Sequence, residues 1–160
     1  EQKDILLVED ISLISSEEKF DVISLWHVLE HIPDLDLQIE KFHSLLNTNG
    51  YLIIAVPNFK SYDASYYQEF WAAYDVPRHL WHFSKEGMVR LLESHQFKFQ
   101  KTLPLVFDSF YVSLLSEKYK TGKSNFLKAF QVGMKSNLKA KRTNEFSSLI
   151  YVFKKAKNQF

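Results

Sequence analysis

Apolar residues along the chain fall into two rhythms. Ile5, Leu6, Leu7 and Val8 form a short unbroken run, and "FDVISLW" (Phe20 to Trp26) and "YLIIAVP" (Tyr51 to Pro57) form two more. Runs of this length read as strands buried on both faces, the habit of parallel sheets. Between the last two, Leu35, Ile39, Phe42 and Leu46 recur at helical spacing and predict one apolar helix face. Asn49-Gly50 is the expected helix stop, because glycine tolerates a left-handed backbone. Strand, helix and strand joined by short links make a βαβ unit, which places the chain in the α/β class with a doubly wound sheet. Ligands of such sheets lie outside the carboxyl ends of the strands. Those ends here are Leu25 to His27 and Val56 to Asn58.

Over residues 59–83 the periodicity fails, and the segment is crowded with aromatics. An irregular stretch of that length inside a compact domain reads as a lid. Ser84 then has the look of a helix N-cap, followed by Met88, Leu91, Leu92 and His95 at helical spacing. "FKFQKTL" (Phe97 to Leu103) alternates as a strand with one polar face does. Two helices are expected from Asp108 to about Lys120 and from Asn125 to about Lys141, so that residues 108–141 form a helical insertion. A final strand falls within Phe146 to Lys155. The insertion carries Phe107, Phe110, Tyr111, Leu114, Leu115, Phe126, Phe130 and Met134. These rings either pack on the sheet and on each other or cap the ligand site and touch an apolar substrate.

Composition narrows the class. The 160 residues are 46% hydrophobic and 24% charged, as expected of one globular domain spanning 1–160. A formal net charge of +1 gives no overall field that would favour nucleic acid or an anionic membrane. The absence of cysteine excludes disulfides and cysteine-zinc sites. No apolar run approaches the roughly 18 residues of a spanning helix, and the expected location is cytoplasmic.

The segment "FDVISLWHVLEHIPDLDLQIEKFHSLLNTNGYLIIAVPN" resembles the fourth-to-fifth-strand region of class I S-adenosylmethionine-dependent methyltransferases. It looks closest to the branch with ubiquinone-biosynthesis-type O-methyltransferases and many bacterial relatives. "DVPRHLWHFSKEGMVRLLESHQF" is also typical of that branch, and the resemblance covers roughly residues 4 to 103. It implies a Rossmann-like sheet, here from the third strand onward, with S-adenosylmethionine as cofactor and a small or medium-sized acceptor methylated on oxygen. The family's glycine-rich cofactor loop has no counterpart, since Gly50, Gly87, Gly122 and Gly133 form no cluster. The acid that ends the family's second strand is absent as well. The expectation is therefore the C-terminal part of a longer methyltransferase, inactive alone. Strand Phe20 to Trp26 would then have a bare edge prone to self-association.

By the same resemblance, Asp10, or alternatively Glu9, is placed against the adenine amino group, and Leu25, Trp26 and His27 against the methionine end of the cofactor. A carboxylate accepts naturally from an amino group. His27 is the candidate base for removing an acceptor proton, because histidine titrates near neutral pH. On the substrate side stand Asn58, Trp71, Tyr74, Arg78 and His79, with Arg78 either pairing with Asp75 or clamping an anionic group.

His27, Glu30 and His31 would share one face if their segment were helical. The resemblance to small-RNA 2′-O-methyltransferases adds His82 as the fourth member of a divalent-metal set. The other reading, and the favoured one, has Glu30 and His31 bracing the loop. Pro33 favours an extended His31-Ile32 and a helix that begins only afterwards, which weakens the shared-face arrangement. Three functions stay open: O-methyl transfer to a small acceptor, metal-assisted RNA methylation, and a non-catalytic fragment or interaction module. Near-neutral charge disfavours a nucleic-acid partner.

Overall fold

A computed structural model describes residues 7–156. The run Ile5 to Val8 lies partly outside the described residues. Its described members, Leu7 and Val8, are exposed and belong to no strand.

The elements are β1 (Phe20–Trp26), α1 (Leu35–Leu45), β2 (Leu46–Pro57), α2 (Tyr62–Tyr67), α3 (Lys85–Ser94), β3 (Phe97–Pro104), α4 (Asp108–Thr121), α5 (Phe126–Thr143) and β4 (Ser148–Lys155). They form a four-stranded sheet of order β1-β2-β4-β3. β1 and β2 run parallel, and β4 lies antiparallel between β2 and β3. The fold is α/β, as the apolar runs predict.

Period-two patterning places the core. Leu52, Ile54 and Val56 of β2 and Leu149, Tyr151 and Phe153 of β4 point to one face, where Leu35, Ile39 and Phe42 of α1 meet Met88 and Leu92 of α3. β1 departs from the expectation of burial on both faces. Only Leu25 is buried, while Val22 and Trp26 are half exposed, because β1 is the sheet's edge and pairs only with β2 among the described residues.

The helix stop is also corrected. α1 ends at Leu45, and Asn49-Gly50 lies within β2. There Asn49 has φ 69° and the β1–β2 register is irregular between Phe20 and Val22. A Cβ on Gly50 would come within 3.0 Å of the Asn47 carbonyl and 3.2 Å of that of Asp21. This glycine permits a bulge rather than a C-cap.

Residues 59–83 are more ordered than a free lid. Ser61 caps α2 by accepting from the Ala64 amide at 3.2 Å. Tyr67, Trp71, Ala72 and Ala73 build a second, smaller core with Val112 of α4 and Val132 of α5. Asp63 holds it together. One carboxylate oxygen accepts from Ser136 Oγ at 2.6 Å; the other accepts from Trp71 Nε1 at 2.8 Å and Ser147 Oγ at 2.6 Å. A fully buried carboxylate is tolerable when its lone pairs are met in this way.

Candidate functional site

β1 makes its last ladder contact through the His27 amide, which donates to the Ala55 carbonyl at 2.9 Å. His27 then turns left-handed, with φ 54°. Few non-glycine residues adopt that conformation, although histidine does so more readily than most. Its Nε2 lies 3.0 Å from Asp108 Oδ2, and its Nδ1 lies 3.3 Å from Glu30 Oε1. The hydrogen bond to Asp108 and then the Glu30 carboxylate, against opposing burial, raise the His27 pKa to about 9. His27 is therefore an imidazolium at neutral pH and cannot accept a proton in that form.

Glu30 sits in the 3-10 turn Leu29–His31, fully buried. The turn is followed by Asp34, which caps α1 by accepting from the Leu37 amide at 3.0 Å. So His27, Glu30 and His31 do not share a helix face, as Pro33 suggested. Neither Glu30 carboxylate oxygen has a hydrogen-bond partner among the described residues. The His27 contact is a close charge pair without hydrogen-bond alignment.

Two further histidines approach. His31 Nδ1 lies 3.0 Å from the Arg78 carbonyl and His79 Nδ1 2.8 Å from that of Ala73. Carbonyls only accept, so both Nδ1 atoms carry a proton, and in a neutral ring each Nε2 then offers a lone pair. One donor atom each from Glu30, His31 and His79 lies within 4.8 Å of the others. Carbonyl-oriented imidazoles beside an unpartnered carboxylate suit a divalent cation. Two members of the expected set fall outside this trio. His27 faces Asp108, and His82 Nε2 bonds the Tyr74 carbonyl at 2.9 Å.

A cavity of about 280 Å³ opens at the carboxyl ends of β1 and β2. His27 and Pro57 come from the strands, Arg78 and His79 from the 59–83 segment, and Asp108 and Tyr111 from α4. Ser148, buried and with its hydroxyl unpartnered among the described residues, also lines it. Arg78 pairs with Asp75 at 2.7 Å and remains largely exposed.

Other expected site residues lie elsewhere. Asn58 is buried and donates to Glu145 at 2.6 Å and to the Phe146 carbonyl at 3.1 Å, while its carbonyl caps the Lys60 amide. Trp71 is committed to Asp63, and Tyr74 packs edge-to-face on Trp71 and His82. Asp10 caps a turn through the Ser12 amide at 2.7 Å. Leu25 and Trp26 are, respectively, core and edge, and neither lines the cavity. Asp108 and Ser148 escaped the sequence reading, whereas Tyr111 is one of the insertion rings for which a place over the ligand site was open. Asp108 looked like an ordinary helix start, and no local spacing links it to His27.

The family described as "Methyltransferase domain" matches residues 4–102. No curated protein matches the chain. Among solved structures, magnesium protoporphyrin IX methyltransferase from Synechocystis, with bound S-adenosylhomocysteine, aligns at 12% identity and TM-score 0.52, covering 94% of this chain and 50% of its own. An S-adenosylmethionine-dependent methyltransferase from Thermotoga maritima aligns at 16% identity and TM-score 0.52, with coverages of 86% and 56%. The [4+2]-cyclase SpnF aligns at 15% identity and TM-score 0.55, with coverages of 96% and 56%. These likenesses show the fold, and a cyclase among them shows that the fold alone does not fix the reaction. The chain spans about half the length of these structures. The match over residues 4–102 carries the assignment: the chain belongs to the methyltransferase-domain family.

Proposed function

We propose that the chain provides the acceptor side of an S-adenosylmethionine-dependent methyltransferase that acts on oxygen of a small or medium-sized acceptor, in the manner of the ubiquinone-type branch. The observation that carries this reading is the cavity at the ends of β1 and β2, with His27, Asp108 and Ser148 around it. At about 280 Å³ it sits at the lower limit of sites that enclose a small ligand, and it is too small for the adenosyl cofactor as well. Residues beyond this chain would then hold much of the cofactor, consistent with the missing glycine loop. Asp10 and Trp26, both exposed, remain free to contribute.

Bound S-adenosylmethionine supplies an electrophilic methyl group. The protein's task is to align the acceptor oxygen in line with it and to take the acceptor's proton. Ser148 Oγ can orient the acceptor hydroxyl, and Arg78 can receive an anionic substituent. His27 is the base once it is neutral, which it becomes as pH rises through about 9. Asp108 sets that value and holds the ring. Methyl transfer from labelled S-adenosylmethionine to a panel of phenols and amines, with the complete protein, tests the reading. Labelled phenol ethers support it; labelling of amines alone overturns the oxygen assignment. If the complete protein fails to bind S-adenosylhomocysteine in calorimetry, the interaction-module reading takes its place.

A second reading has one observation in its favour, the unpartnered Glu30 carboxylate beside His31 and His79. In that reading a divalent cation acidifies the acceptor hydroxyl. Titration with Mn²⁺, followed by calorimetry and by thermal shift, separates the two. Binding that is lost in Glu30→Gln supports the metal, and no heat and no shift dismisses it.

A further inference from the structure

Charge is segregated in this molecule. The α4–α5 hairpin, residues 108–143, holds eight lysines and arginines against two acids, a net +6; the remainder holds twelve against seventeen, a net −5. Both hairpin acids are occupied inward. Asp108 faces His27, and Glu117 is buried and accepts from the Tyr67 hydroxyl at 3.0 Å. The outer surface of the hairpin therefore presents cations alone, and the overall charge of +1 conceals it.

The same surface is apolar where solubility would favour polar side chains. Phe107 is 79% exposed, Phe126 70%, Leu127 78% and Phe130 57%. They rim a shallow apolar groove between the two helices. Phe126, Phe130 and Met134 follow one another at helical spacing along α5, and Lys141 continues the line. On α4, Phe107, Tyr111 and Leu114 lead in the same way to Lys118. Lys128, Lys135 and Lys139 flank the apolar arc of α5 and lie over Tyr66 and Tyr62. An exposed apolar stripe bordered by lysines is the pattern of a helix that lies in the headgroup region of a bilayer. No helix among the described residues is long and apolar enough to cross one.

We propose that the α4–α5 hairpin docks this protein on an anionic phospholipid surface. Phe107, Phe126, Leu127 and Phe130 enter the acyl boundary, and the surrounding lysines pair with lipid phosphates. Charge selects the occupant. A second copy docked by the same face would bring two +6 surfaces together, whereas an anionic leaflet attracts each lysine near it. Nucleic acid would leave the aliphatic Leu127, Met134 and Leu138 in water. Tyr111 lines both the groove and the cavity at His27, so the docked face adjoins the site.

Co-sedimentation of the full chain with vesicles tests this. Phosphatidylcholine vesicles containing phosphatidylglycerol should bind at least about tenfold more tightly than phosphatidylcholine alone, and added salt should weaken the binding. Phe126→Ser with Leu127→Ser, both at exposed positions, should lower the partition about tenfold or more with an unchanged melting temperature. Equal binding to both vesicle types, no binding, or full binding by the double variant overturns the proposal. So does a dimer that the double variant abolishes while vesicles bind nothing, or an RNA affinity that exceeds the vesicle affinity.

Discussion

The imidazole Nε2 of His27, at the end of β1, lies 3.0 Å from Oδ2 of Asp108, at the start of α4. A strand end deep in the α/β sheet is thereby tied to the helical hairpin laid over it. The pair fixes the protonation state of the one histidine placed for chemistry, and it fixes where the hairpin sits.

The first consequence is a titration. His27 should titrate near pH 9 by NMR, and in Asp108→Asn its value should fall toward 6.5, because the largest upward cause is removed. A raised native pKa contributes stability that is fully present below about pH 6.5 and is lost as pH rises through about 9. The melting temperatures of wild type and Asp108→Asn should therefore differ most at mildly acid pH, about 5 to 6.5, where His27 is charged and carboxylates are still ionised, and should converge well above pH 9. A His27 resonance that titrates near 6.5 in the wild type removes the pair from the account.

Activity should follow the same group. With an oxygen acceptor, kcat/KM should rise with pH through a midpoint near 9, and that midpoint should move toward neutrality in Asp108→Asn. A profile flat from pH 6 to 10 would assign the proton to a different group.

Asp63 should be the costliest polar residue to remove. Asp63→Ala leaves Trp71 Nε1 and the hydroxyls of Ser136 and Ser147 without their acceptor. Each hydrogen bond to a charged group is worth about 1.5–3 kcal/mol, so a loss of at least about 3 kcal/mol is expected in urea denaturation. A loss below about 1 kcal/mol would mean that the second core stands without it.

Gly133 offers a test with an unusual sign. Alanine in an exposed helix interior gains about 1 kcal/mol over glycine. Here a Cβ would lie 2.8 Å from Phe110 Cδ1, 3.0 Å from the Ser109 carbonyl and 3.1 Å from Phe110 Cα. Backbone atoms cannot step aside as a side chain can, so Gly133→Ala should destabilise by about 1–3 kcal/mol. A stabilised variant would show that α4 and α5 are not so closely packed.

The sequence was most legible where periodicity is strong. β1, α1, α3 and β3 fall where the apolar spacing places them, Ser84 caps α3 as read, and Asn125, read as the start of a helix, is the N-cap of α5. It was least legible where long-range contact decides. The aromatics of 59–83 look like a lid from sequence, yet Tyr67 and Trp71 are buried beneath the hairpin, because only the fold brings Val112 and Val132 over them. His27 was visible as a titratable residue at a strand end. Its partner Asp108 was not, since nothing local distinguishes it from any acid in a first helical turn. Chain-averaged charge likewise hid a hairpin of opposite sign to the rest.

The most direct test of the central claim is methyl transfer from labelled S-adenosylmethionine to a phenol by the protein expressed from its complete reading frame, wild type beside His27→Ala. The account predicts transfer by the wild type and a kcat/KM at least about 100-fold lower in the variant, the scale of a positioned general base. Equal rates in the two proteins, or no transfer by either, would contradict the placement of methyl transfer at the end of β1.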